Sequence, residues 1–256
     1  MQVYSFTGQY KRTLPIPYKM ILNSLQDFSA DCLLACDMDV NQGISNRAKP
    51  YMLLSKKTGE IVKELDIHFT KRMSNRMSKP FGENQTISAA LGYDPIVRCE
   101  DSYVIGDLSA DTIYTYTPQG VLSPMLVRTP PVLSMETPKV LLPDYRAGSY
   151  FFFYLVDFEF DFETRTGFPD KYMVYDYAAG KTYVCKLVNR DCEEQEIQLG
   201  DGGVTNKAWN TACYTIPSSM LIEQSEAGKV HGPLKEIAAG RTDDDNPVLV
   251  IVRFKN

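Results

Sequence analysis

Histidine and tryptophan are scarce: the 256 residues hold two histidines, His68 and His231, and one tryptophan, Trp209. The six cysteines, Cys32, Cys36, Cys99, Cys185, Cys192 and Cys213, include no C-x-x-C pair. Structural zinc draws its ligands from closely spaced Cys and His, so this composition argues against a metal centre of that type. Cys32 and Cys36 fall on one face of an expected strand but about 13 Å apart at ~3.3 Å per residue, beyond disulfide reach. Buried free thiols are the expectation. No apolar run approaches the roughly 18 to 20 residues that a membrane-spanning helix needs. Positive charge is also short. The net charge is −5, and nucleic-acid surfaces need clustered Lys and Arg. The most basic stretch, residues 71–79, reads as a solvated connection. No serine sits in a G-x-S-x-G elbow, and neither histidine has a detectable partner, so no nucleophile triad can be argued. Gly200-Asp201-Gly202-Gly203 lacks the following Lys-Ser/Thr of a phosphate loop and reads as a turn.

No export leader is expected either, because Met1 is followed at once by a strand pattern. Leu33-Leu34-Ala35-Cys36 has the local form of a lipoprotein cleavage box. Asp27 and Asp31 stand upstream, where a basic start and an apolar core are required, so the match is rejected.

What the chain does have is aromatic residues in strand-like runs, with sixteen tyrosines and twelve phenylalanines. One pattern occurs four times: an aromatic or β-branched run, a turn with glycine, and a second apolar run. The glycines are Gly8, Gly59, Gly120 and Gly180, which are 51, 61 and 60 residues apart. A hairpin repeated at such a period points to a β-propeller or a similar radial array. Residues 2–16 read as the outer hairpin of a first blade. Residues 20–25, 31–39, 51–54 and 61–67 form a second blade, and 95–99, 102–106, 112–117 and 121–127 a third. The run at 150–156 reads as a strand buried on both faces, followed by strands at 171–177 and 181–188. After a strand at 211–216 come helices at 218–227 and 233–239, capped by Ser218 or Ser219 and ended by Gly228 and Gly240. A buried strand at 248–254 closes the chain. The expectation is an all-β chain, one incomplete propeller domain over 1–256 with about four to five blades and a short helical insertion before the last strand.

Pro233-Leu234-Lys235-Glu236-Ile237, followed by residues 243–255 (Asp-Asp-Asp-Asn-Pro-Val-Leu-Val-Ile-Val-Arg-Phe-Lys), resembles the end of a bacterial six-bladed β-propeller family. Its members are largely uncharacterised exported or lipid-anchored proteins of gut-type anaerobes. The resemblance implies a periplasmic or cell-surface location. It also implies that about one and a half blades and a leader are absent at the N-terminus, leaving open edges that invite self-association.

The most unusual local feature is Asp157-Phe158-Glu159-Phe160-Asp161-Phe162-Glu163. In a strand, side chains alternate between faces, so Asp157, Glu159, Asp161 and Glu163 share one face and the phenylalanines the other. Same-face neighbours lie about 6.6 to 7 Å apart, compatible with a ligand or with oxygens around calcium. That spacing also falls within the range of a glycosidase acid/base pair. The alternative is a hairpin with its acids in water and its phenylalanines packed. Asp37 and Asp39 share a strand face in the same way and could mark the mouth of a central channel, or simply a solvated strand end. Asp243, Asp244 and Asp245 read as a solvated loop. Two functions follow. One is a non-enzymatic binding or scaffold module that engages a protein or glycan at one face of the ring, without a cofactor. The other is a sugar- or ester-acting enzyme with carboxylates at the channel mouth and calcium as an assisting cation.

Overall fold

The computed structural model describes residues 1–17, 20–37, 47–67, 69, 71–83, 85–99, 101–193, 195–197, 199 and 211–254. These form an all-β protein of small antiparallel sheets with two short helices. The chain falls into two compact units: Met1–Pro143 with Tyr154–Asp170, and Asp144–Phe153 with Lys171–Asn256.

In the first unit, β1 (Gln2–Tyr4) and β2 (Tyr10–Thr13) make a hairpin. Strands β3 (Leu22–Asp27), β4 (Cys32–Asp37), β5 (Tyr51–Ser55) and β6 (Ile61–Glu64) form a four-stranded sheet in chain order. A second hairpin, β7 (Arg76–Phe81) and β8 (Gln85–Ala90), follows. Strands β9 (Ile96–Arg98), β10 (Tyr103–Ile105), β11 (Thr112–Tyr116) and β12 (Leu122–Val127) then repeat the four-stranded meander. A third sheet, whose strands divide between the first unit and the second, has the order β13 (Lys139–Ala147), β14 (Tyr150–Asp157), β17 (Asp170–Asp176) and β18 (Lys181–Val184). Between β14 and β17 lies a small hairpin, β15 (Phe160–Asp161) and β16 (Thr166–Gly167).

The period-two rule explains how the two meanders meet. Leu34 and Cys36 of β4, Tyr51 and Leu53 of β5, and Leu65 and Ile67 beyond β6 form one apolar cluster with Ile96, Tyr103, Ile105 and Tyr116 of the second meander. The opposite face of the first sheet packs Ala35, Met52 and Leu54 with Met20. Leu34, Ala35 and Cys36 are all fully buried, so β4 is covered on both faces, as its unbroken apolar run requires. A third cluster in this unit gathers Leu91, Leu108, Val132, Val140, Leu142 and Val156.

The second unit pairs β19 (Thr211–Ile216) with β20 (Val248–Arg253) in unbroken antiparallel register. The helices α1 (Ser218–Glu226) and α2 (Gly232–Ala238) lie between them in sequence. Leu221 and Leu234, one from each helix, join Tyr214, Ile216 and Val248 in a core. A second cluster holds Tyr145, Phe152 and Ala212.

The four repeat glycines now have a physical reason. Gly8, Gly59, Gly120 and Gly180 sit in turns with φ of +79°, +78°, +79° and +62°, a region that L side chains rarely enter.

Several expectations change. Residues 76–81 are not a solvated connection but strand β7, paired residue by residue with β8. Strand β13 lies outside the expected strands and carries Pro143 in its middle, a residue that argues against a strand. The residue before α1 is Pro217, with no side-chain cap; the Ser218 hydroxyl instead donates to the Asn246 carbonyl at 2.9 Å. Gly228 does end α1 in the left-handed region, at φ +74°. Gly240 lacks a positive φ, and Ala239 caps α2 in helical geometry. Strand β20 is not buried throughout: Leu249 and Ile251 are 55% and 58% exposed. None of the six cysteines forms a disulfide, and four of them are buried.

Candidate functional site

The acidic segment 157–163 does not continue as one strand. β14 ends at Asp157, and the Glu159 N–H donates back to the Asp157 carbonyl at 2.9 Å, bending the chain. The hairpin that follows is tight. A Cβ on Gly167 would lie 2.5 Å from Phe160 Cδ2 and 2.7 Å from the Glu159 carbonyl oxygen, so only glycine allows this approach. Arg165 and Phe168 take positive φ at its turn and exit.

Three of the four carboxylates go to separate partners. Asp157 pairs with Lys139 Nζ. Asp161 folds into its own turn, accepting the Glu163 N–H at 2.8 Å and the Thr164 hydroxyl at 2.8 Å. Glu163 stands 3.9 Å from Lys79, where both side chains are largely exposed and the pair contributes little. Glu159 and Asp161 line an open concavity with Phe160, Thr166, Gly167 and Pro169. Phe158 and Phe160 both pack on Phe168, at 5.5 and 5.6 Å between ring centres. Among the described residues, no group of three or more His, Cys, Asp or Glu side chains is arranged to hold a metal ion.

The Glu163 N–H and the Thr164 hydroxyl hold the Asp161 carboxyl below its ordinary 3.8. A carboxyl whose folded pKa is depressed contributes stability above its unfolded pKa and loses it as pH falls through the folded value. Asp161→Asn should therefore melt slightly below wild type at neutral pH, with the gap closing as pH drops well under 3.8; thermal melts across pH check this.

A second constellation lies where strand ends of the two meanders come together. Asp37, at the end of β4, is fully buried rather than a solvated strand-end acid. Its Oδ1 accepts the Ile21 N–H at 3.3 Å, and Arg47 Nε stands 3.9 Å from Oδ2. Asp39, expected beside it, lies outside the described residues, as do Gly200–Gly203, His68 and Trp209. Tyr51, at the start of β5, donates its hydroxyl to Asp107 Oδ2 at 2.9 Å, reaching from one sheet to the other. Asp107 follows β10 and also accepts the Ser109 N–H at 2.8 Å. The Ser109 hydroxyl in turn accepts the Met73 N–H at 2.7 Å.

Arg72 completes the cluster. Its Nη2 donates to the Asp37 carbonyl oxygen at 2.9 Å, and its guanidinium stacks 5.7 Å from the Phe69 ring centre. The Nε and Nη1 atoms are buried without a hydrogen-bond partner among the described residues. Burial pushes the Cys36 thiol well above its ordinary pKa, and the nearby Asp107 charge adds to this. Burial likewise raises the Tyr51 and Tyr93 phenols. A thiol kept protonated is a poor nucleophile. The cluster's chemistry is hydrogen bonding: it ties two sheets together and leaves guanidinium donors unspent.

Of these residues the sequence pointed only to Asp37. Tyr51, Arg72, Tyr93 and Asp107 lie far apart in the chain and converge only through sheet packing. The available signal was Asp107 itself, an acid directly after the apolar run Tyr103-Val104-Ile105-Gly106. His231 has a partner after all, with Nε2 at 3.0 Å from Glu193, but both are exposed. In the triple-acid loop, Asp245 accepts the Thr242 N–H at 2.7 Å, a turn-forming role.

No protein-family profile matches the chain, and no curated protein matches it. Among solved structures, a Bacteroides fragilis protein named "Putative exported protein" is similar with a TM-score of 0.57 at 13% identity. The match covers 100% of this chain and 71% of the other. At that identity the likeness speaks to fold alone.

Proposed function

We propose that this chain is part of an exported β-propeller of the six-bladed type, a binding or scaffold module that engages a protein or glycan at one face of the ring. The observation that carries this reading is the repeated four-stranded antiparallel meander. Two such sheets follow each other in chain order, stack face to face and share one core. Stacked four-stranded sheets of this order are how propeller blades cover one another. The buried polar cluster at the strand ends, with Tyr51 bonded to Asp107, would hold the two meanders in place behind such a face. The name of the B. fragilis neighbour accords with export to the periplasm or cell surface.

Binding is favoured over catalysis because the reactive groups are engaged structurally. Asp157 is tied to Lys139, Asp161 to its own turn, and the Cys36 thiol is held protonated. A glycan and peptide array, run beside chromogenic glycoside and ester substrates, separates the two functions. The expected result is saturable binding without turnover. Turnover abolished by Asp157→Asn or Glu159→Gln would overturn the binding reading. Melting temperature should not change on adding calcium or EDTA; a calcium-dependent rise removed by Asp161→Asn would reinstate a cation site.

A further inference from the structure

We propose that the β7–β8 hairpin is a dimerisation arm, with β8 of one copy pairing antiparallel to β8 of a second copy of this chain. The hairpin is regular, with six consecutive residue pairs from Arg76–Ala90 to Phe81–Gln85. Its base is closed by the Leu91 N–H on the Asn75 carbonyl at 2.8 Å and by Asn75 Nδ2 on the Leu91 carbonyl at 3.2 Å. Both strands are exposed almost throughout, and among the described residues no further strand pairs with either edge. A lone two-stranded sheet in water is marginal, and three or more strands are needed for independent stability.

The two edges are unlike. Strand β7 carries Arg76, Lys79 and Pro80, the residue types that block strand addition, and Lys79 stands toward Glu163. Strand β8 reads Gln-Thr-Ile-Ser-Ala-Ala, with no charge and no proline along six residues. One edge is guarded and the other is open, and an open edge accepts an extended strand through backbone hydrogen bonds.

Three features select a second copy as that strand. A two-fold axis makes the antiparallel pairing isologous, so each β8 satisfies its twin. The turn end of the hairpin carries Glu83 and the base carries Arg76, so antiparallel apposition brings the acidic end of each copy toward the basic end of the other. The register also places Met77, Phe81, Ile87 and Ala89 on one face, with Lys79 and Gln85 among them and Phe81 58% exposed in the single copy. Pairing two hairpins through β8 brings Ile87 and Ala89 of both copies side by side, an apolar stripe at the centre of the four-stranded sheet. The inference uses the hairpin alone and does not depend on the propeller assignment.

Sedimentation velocity of the full chain over a concentration series tests it, beside a Thr86→Lys, Ala90→Lys double variant. Both positions are exposed on the face opposite the stripe, so the fold should survive, and an unchanged melting temperature verifies that. Wild type should show a concentration-dependent dimer, and the four lysines of a variant pair should weaken it about tenfold or more. Hydrogen exchange on wild type supplies a second readout, with β8 amides gaining protection as concentration rises. A wild-type monomer throughout the micromolar range overturns the proposal. So does a dimer that tolerates both lysines or leaves β8 unprotected.

Discussion

Gly59→Ala should be the most damaging single methyl added to this protein, lowering stability by about 3 kcal/mol or more. Two effects coincide there. Gly59 has φ +78°, so any L side chain is strained before it meets a neighbour. The new Cβ would also stand 1.6 Å from the Pro15 carbonyl oxygen and 2.8 Å from its carbon, an overlap that only backbone movement relieves. The turn cannot easily yield. The Ser55 carbonyl accepts the Gly59 N–H at 2.8 Å, the Ser55 hydroxyl accepts the Lys57 and Thr58 N–H groups, and Arg12 binds the Lys56 and Lys57 carbonyls. Gly8→Ala is the internal control. Its φ is +79°, yet nothing lies within 4 Å of the added Cβ, so only the conformational strain of about 1 kcal/mol remains. Urea unfolding at constant m-value should separate the two variants clearly.

Asp107→Ala should cost about 3 kcal/mol, because it orphans two buried donors at once. The Tyr51 hydroxyl loses its acceptor inside a fully buried environment, and the Ser109 N–H loses its own. The damage spreads, since Ser109 also positions Met73 through its hydroxyl, next to Arg72. By contrast, alanine at exposed Glu163, 3.9 Å from a lysine that is also exposed, should change stability by less than about 0.5 kcal/mol. Thermal and chemical denaturation of the two variants should differ severalfold in effect.

The parts of the fold that the sequence revealed are those with a local cause. Gly8, Gly59, Gly120 and Gly180 were legible because a hairpin turn needs a positive φ, and that need shows in a single residue. Strands β4, β5 and β14 were legible because their apolar runs are long enough to demand burial. The β7–β8 hairpin was not, since its strands are mostly exposed, their apolar residues are few, and Arg76 and Lys79 resemble loop residues. Strand β13 hid behind Pro143, which interrupts the alternation of Val140 and Leu142 with Tyr145 and Ala147. The acidic run shows the limit of periodicity: a bend at Glu159 and a turn fixed by Asp161 end the strand that alternation implied. The strand-end cluster was hidden for a different reason. Tyr51 and Asp107 are 56 residues apart, and each looks ordinary until sheet stacking brings them within 2.9 Å.

That hydrogen bond gives the most direct measurement of whether consecutive four-stranded sheets stack as one body. A double-mutant cycle on Tyr51→Phe and Asp107→Ala, read by urea unfolding, should give a coupling energy of about 2 kcal/mol. Energies that add to within about 0.5 kcal/mol would mean the two side chains do not meet, contradicting the face-to-face stacking of the meanders.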